Sequence, residues 1–90
     1  MRRVRVHVSG HVQGVGFRFT TLDIAAHHPD VTGYVRNLPN GGVEIVAEGP
    51  QRSLEQFLED VQKTMSGYIS GFSIADEQAT GDFAGFAIVR

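Results

Sequence analysis

The sequence predicts an α+β fold, an antiparallel sheet with two helices packed on one of its faces. Three observations predict it. Short segments with β-branched or aromatic residues at alternate positions recur along the chain. Two stretches between them carry apolar residues at helical spacing instead. Gly, Pro and Asn stand at the joins, where the chain must turn. Ninety residues make one domain, residues 1–90, because single cores divide only at roughly 250–300 residues.

The elements follow in order. Val4, Val6 and Val8 alternate with Arg3, Arg5 and His7, which gives a first strand with one buried face. Ser9 to Arg18 holds three glycines and reads as a loop with special backbone angles. Phe19, Leu22, Ala25 and Ala26 then predict a helix near 19–28, stopped by Pro29 because the residue before a proline avoids helical angles. Val31–Asn37 is a second strand, Leu38-Pro39-Asn40-Gly41-Gly42 a hairpin turn, and Val43–Glu48 a third strand ended by Gly49-Pro50. Ser53 and Gln56 have the spacing of a capping box. Leu54, Phe57, Leu58, Val61 and Met65 mark a second helix near 52–66, with Gly67 as its stop. Ile69, Phe72 and Ile74 give a fourth strand, and Phe83, Phe86 and Ile88 a short extended C-terminal segment. Strand, helix, strand, strand, helix, strand is the ferredoxin-like βαββαβ sandwich, here with a short C-terminal strand added. Val4–Val8 and Val43–Val46 are expected in the central strands. Val6, Leu22, Val35, Ile45, Phe57, Leu58 and Val61 are expected in the core.

Composition excludes several chemistries. No cysteine is present, so disulfides, thiolate metal sites and a cysteine nucleophile are impossible. A formal net charge of -2 gives no general attraction to nucleic acid or anionic membrane, so any anion must meet a local site. The N-terminus is basic but lacks the run of about 7–15 apolar residues of a signal peptide, and no stretch nears the roughly 20 of a membrane span. A cytoplasmic protein is the expectation.

The loop from Gly10 to Arg18 is where an anion would bind. A glycine-rich strand-to-helix loop can point several backbone N–H groups at one spot, and the helix N-terminus behind it adds partial positive charge. Arg18 stands at the loop's end, where its guanidinium can grip two phosphate oxygens. On the residues alone, a tight turn with a surface arginine is the other reading.

Two segments bring in a resemblance. Gly10-His11-Val12-Gln13-Gly14-Val15-Gly16-Phe17-Arg18 resembles the first signature of the acylphosphatase family. Thr32-Gly33-Tyr34-Val35-Arg36-Asn37, followed by Asn40-Gly41-Gly42-Val43-Glu44, resembles the second, and Phe86-Ala87-Ile88-Val89 resembles the family's ending. The likeness spans nearly the whole chain. It implies a metal-independent acylphosphatase that hydrolyses the carboxyl–phosphate anhydride of small acyl phosphates to a carboxylate and inorganic phosphate, without a cofactor. Arg18 would be the catalytic arginine and Asn37 the catalytic asparagine that orients the attacking water. Gln13, Gly14, Val15, Gly16, Phe17 and Arg18 would form the phosphate-binding loop, which should also take inorganic phosphate or sulfate. Acetyl phosphate, carbamoyl phosphate and 1,3-bisphosphoglycerate all fit as substrates. A monomer is the simplest expectation.

Two departures from the family pattern stand out. One extra residue lies within Ala26-His27-His28-Pro29-Asp30, which could shift the strand carrying Asn37. A one-residue slip would turn every side chain of that strand over, so the period-two pattern argues that register holds. His11 stands where an arginine or lysine is common, which would weaken phosphate attraction slightly.

Other residues read more plainly. His27-His28 is expected at an exposed helix end rather than in a metal half-site. Glu44 and Glu48 are expected on the solvent face of the third strand, and Phe17 and Phe19 in the core. Ser9, Thr20 and Thr21 have no histidine–acid pair and are expected to cap or hydrogen-bond. Three rival functions follow from the same topology. An RNA-recognition domain needs stacking aromatics on its central strands, which Val-Arg-Val-His-Val and Val-Glu-Ile-Val-Ala do not supply. A degenerate domain that binds phosphate compounds without turnover conflicts with an intact Arg18 and Asn37. Carbamoyltransferase maturation proteins carry such a domain but continue into cysteine-rich zinc modules.

Overall fold

A computed structural model describes residues 1–90. Its elements are β1 (Arg2–Gly10), α1 (Phe17–Ala26), β2 (Thr32–Asn37), β3 (Val43–Gly49), α2 (Gln51–Thr64), β4 (Ile69–Glu77) and β5 (Phe86–Ile88). They form one sheet in the order β4-β1-β3-β2-β5. The four longer strands pair antiparallel, and β5 joins the edge of β2 in parallel. The α+β sandwich therefore forms with β1 and β3 at its centre. No helix is long and apolar enough to cross a membrane.

Strand alternation sorts residues between two faces. Val4, Val6 and Val8 of β1, Val35 of β2, and Val43, Ile45 and Ala47 of β3 turn toward the helices and are buried. Leu54, Phe57, Leu58 and Val61 of α2 close over them, with Met65 just beyond the helix. A buried side chain of this size is worth about 1.5–3 kcal/mol relative to an exposed one, so this layer dominates the fold's stability.

Three local expectations are corrected. Helix α1 begins at Phe17, two residues earlier than its apolar pattern predicts, and its buried face is Phe17, Thr21 and Ala25. Leu22 is only half-buried and Phe19 is exposed. The pattern failed because Thr21, whose hydroxyl donates to the Phe17 carbonyl, is a core residue that hydropathy does not flag. The Ser53–Gln56 capping box does not form: α2 starts at Gln51 behind Pro50, and Ser53 donates instead to Asp30. His28 is not at an exposed end. Its ring lies against Phe57, and its Nε2 is 2.9 Å from Asp60 of α2.

The second face is the larger correction. Glu44 and Glu48 do point away from the helices, yet both are buried. Arg5 and Arg36 donate to Glu44 at 2.8 and 2.7 Å, and the Tyr34 hydroxyl donates at 3.0 Å. The chain from β4 to β5 crosses this face to reach the far edge of the sheet. Glu48 holds that crossing by accepting the N–H groups of Thr80 and Gly81 at 2.8 and 3.0 Å, with Arg3 beside it. Phe83 of the crossing packs edge-on to Tyr34 and beneath the Arg3 guanidinium.

Candidate active site

The β1–α1 loop carries positive φ at Gly14 and Gly16, 78° and 80°. No other residue type in the chain adopts positive φ, so these glycines set the loop's path. Alternating the sign of φ makes successive N–H groups converge on one side, a backbone nest for anions. None of the N–H groups from Val12 to Gly16 donates to a backbone acceptor of the protein. Those of Phe17, Arg18 and Phe19 lie in the first turn of α1, where no preceding turn offers carbonyls. The first N–H to be met is that of Thr20, by Gly16 at 2.9 Å.

Asn37 reaches the same place by strand register. It shares the parity of Val35, so it faces the helix layer, at the last position of β2. In the turn after α1, the Val31 N–H donates to the His28 carbonyl at 2.9 Å. Pairing from Thr32↔Glu48 to Asn37↔Val43 runs without a slip. Gln13 fastens loop to hairpin, its amide donating to the carbonyls of Leu38 and Gly42 at 2.8 and 2.7 Å.

A cleft of about 220 Å³ opens between these elements, lined by Val12, Gly14, Gly16, Phe17, Arg18, Phe19 and Asn37. Arg18 and Asn37, 19 residues apart in sequence, thus share one cavity, with Gly14, Gly16 and Phe17 of the expected loop. Gln13 and Val15 do not line it: the Gln13 side chain is spent on the hairpin, and Val15 packs against the core. Arg2, Arg3, Arg5, Arg36 and Lys63 all pair with carboxylates, whereas Arg18 pairs with none. No acid or histidine lines the cleft. His11 is exposed and outside it. Nowhere do three His, Asp or Glu side chains gather as metal ligands would.

The residue that sequence reasoning missed is Phe19. A helix advances 100° per residue, so residues two apart face opposite ways. With Phe17 in the core, Phe19 had to point outward, and the helix start was the signal that would have placed it.

An amide-lined cleft on a ferredoxin-like sandwich, with one unpaired arginine at its helix end, defines the class as a small α+β domain. Comparison with known proteins narrows the class to one family. The acylphosphatase family model matches residues 4–88. An acylphosphatase from Methanospirillum hungatei is 52% identical over 69 residues, covering 77% of this chain and 75% of that protein. One from Syntrophotalea carbinolica is 42% identical over 87 residues, covering 96% and 94%. The crystal structure of acylphosphatase from Bacillus subtilis superposes with a TM-score of 0.88 at 33% identity, covering 100% of both chains. The chain belongs to the acylphosphatase family.

Proposed function

We propose that this protein is an acylphosphatase in which Arg18 and the loop amides bind the phosphoryl group and Asn37 orients the attacking water. The observation that carries the residue roles is the cleft itself. It joins unmet N–H groups, an arginine without a carboxylate, and a side-chain amide.

The chemistry suits those groups. The phosphoryl oxygens lie against the N–H groups of Gly14, Gly16, Phe17 and Arg18, and the guanidinium takes two of them. Asn37 accepts a hydrogen bond from water through its side-chain oxygen, which leaves a water lone pair free for phosphorus. The water oxygen bonds to phosphorus as the bond from phosphorus to the acyl oxygen breaks. The electron pair leaves on the carboxylate, and a phosphate oxygen takes the water's proton. A carboxylate has a conjugate acid with pKa of about 4, so it leaves without a general acid. The cleft contains none. Catalysis then rests on positioning and charge stabilisation. We take a monomer as the working unit. We place it in the cytoplasm, acting on small free substrates.

Benzoyl phosphate hydrolysis, followed with and without excess EDTA, tests the reading. Full turnover in both is expected, because no step is assigned to a metal. Failure to hydrolyse would overturn the activity. Loss on chelation restored by a divalent cation would overturn the mechanism.

A further inference from the structure

We propose that Phe19 is the acyl-group contact, selecting substrates whose carboxyl carries an aromatic or large apolar group; this rests on the acylphosphatase reading above. Three residues give the cleft apolar character, Val12, Phe17 and Phe19. Val12 and Phe17 are each 1% exposed and serve the core, whereas Phe19 is 65% exposed. Phe19 is therefore the apolar surface that the cleft offers to a ligand. An isolated exposed apolar residue needs no explanation. Phe19 differs from Met1, Tyr68, Ile74 and Val89, the other large exposed ones, in lining the cleft that holds Arg18 and Asn37.

Substrate chemistry supplies the occupant. An acyl phosphate has a charged phosphoryl end and an acyl end joined through one oxygen. The amides and Arg18 satisfy the first end. The substituent on the carbonyl begins three bonds from phosphorus and must run along the cleft wall. Phe19 adjoins Arg18 in the first turn of α1 and makes no aromatic pair within the protein, so its ring face is available. Acetyl and carbamoyl phosphate have no group large enough to use it, whereas a benzoyl ring has.

The test compares kcat/KM for benzoyl and acetyl phosphate in the wild type, Phe19→Ala and Phe19→Tyr. Phe19→Ala should lower the benzoyl-to-acetyl ratio roughly tenfold, the scale of one apolar contact in a binding pocket. The loss should fall mainly on KM for benzoyl phosphate, and Phe19→Tyr should restore the ratio. Competitive inhibition by inorganic phosphate, which has no acyl end, should keep its constant. Thermal melting should not move, because the side chain lies outside the core. An unchanged ratio in Phe19→Ala would overturn the assignment while leaving the acylphosphatase reading intact. So would an equal loss on both substrates, which would mark Phe19 as a support of the loop. A wild type that hydrolysed neither substrate would overturn both.

Discussion

The two ends of the β3 strand treat polar groups in opposite ways. Around Glu48, every buried charge and amide is met: Thr80, Gly81 and Arg3 converge on one carboxylate. Beside Val43, across from Asn37, the amides of Val12 to Gly16 go without backbone partners and Arg18 without a carboxylate. Gly14 and Gly16 are exposed, so their open N–H groups face solvent and are accessible to a ligand. The met cluster holds the fold, and the open one is the site proposed above for the phosphoryl group. The two respond to substitution differently, and that difference can be measured.

The largest effect should follow Arg18→Gln, which keeps a polar side chain but removes charge and fork. Turnover should fall by about a thousandfold or more, at the upper end of losses on deleting one charge-stabilising donor, while the melting temperature barely moves. Arg18→Lys should recover little, since a point charge cannot grip two oxygens. Activity lost only through unfolding would make Arg18 structural. Next comes Asn37→Ala. If the amide holds water and scarcely touches substrate, kcat should fall by roughly a hundredfold with a much smaller change in KM. Near-normal kcat would give water positioning to another group.

The smallest effect on chemistry belongs to the opposite cluster. Glu48→Gln leaves an amide facing Arg3 and two backbone donors, and breaking such a buried arrangement costs about 3 kcal/mol. Activity per folded molecule should persist, because Glu48 lies five residues along β3 from the Asn37 partner Val43, roughly 17 Å. The same cluster sets acid stability. The Thr80 N–H, against the opposing effect of burial, and then the Gly81 N–H and Arg3 hold the Glu48 carboxyl below its ordinary range. For Glu44, burial pushes the pKa up, but Arg36, Arg5 and Tyr34 together outweigh it and bring it down. A carboxylate with a depressed folded pKa contributes stability that is complete above its unfolded pKa and drains as pH falls toward the folded value. Chemical denaturation should therefore show stability falling below about pH 4.5, less steeply in Glu48→Gln. Equal pH profiles would remove Glu48 as a source of acid sensitivity.

The same contrast explains what could be read from the sequence. The central strands and α2 follow from alternation in Val4–Val8 and Val43–Glu48 and from the Leu54–Met65 stripe, all of them local patterns, whereas the parallel place of β5 beside β2 has no such signal. The pairing of Arg18 with Asn37 was legible through the resemblance of their surrounding motifs. Periodicity could place Glu44 and Glu48 on the outward face but not bury them. What buries Glu48 is the crossing from residues 78 to 85, and what covers Glu44 is Arg5, Arg36 and Tyr34 from neighbouring strands, tertiary contacts with no periodic signal. Phe19 and Leu22 were misplaced by a helix start set two residues late, because Thr21 hides the buried face from a hydropathy pattern. His28 was misjudged for the reason that governs Glu48: its partner, Asp60, comes from a different element.

We propose that the open N–H groups and Arg18 form one phosphoryl site. This is tested most directly by titrating inorganic phosphate into the protein while following backbone amide chemical shifts. Saturable shifts centred on Gly14 to Phe19 are expected, with competition by benzoyl phosphate and loss of both in Arg18→Gln. Shifts centred instead on Arg52 or Arg90, the other arginines without carboxylate partners, or an undiminished response in Arg18→Gln, would contradict it.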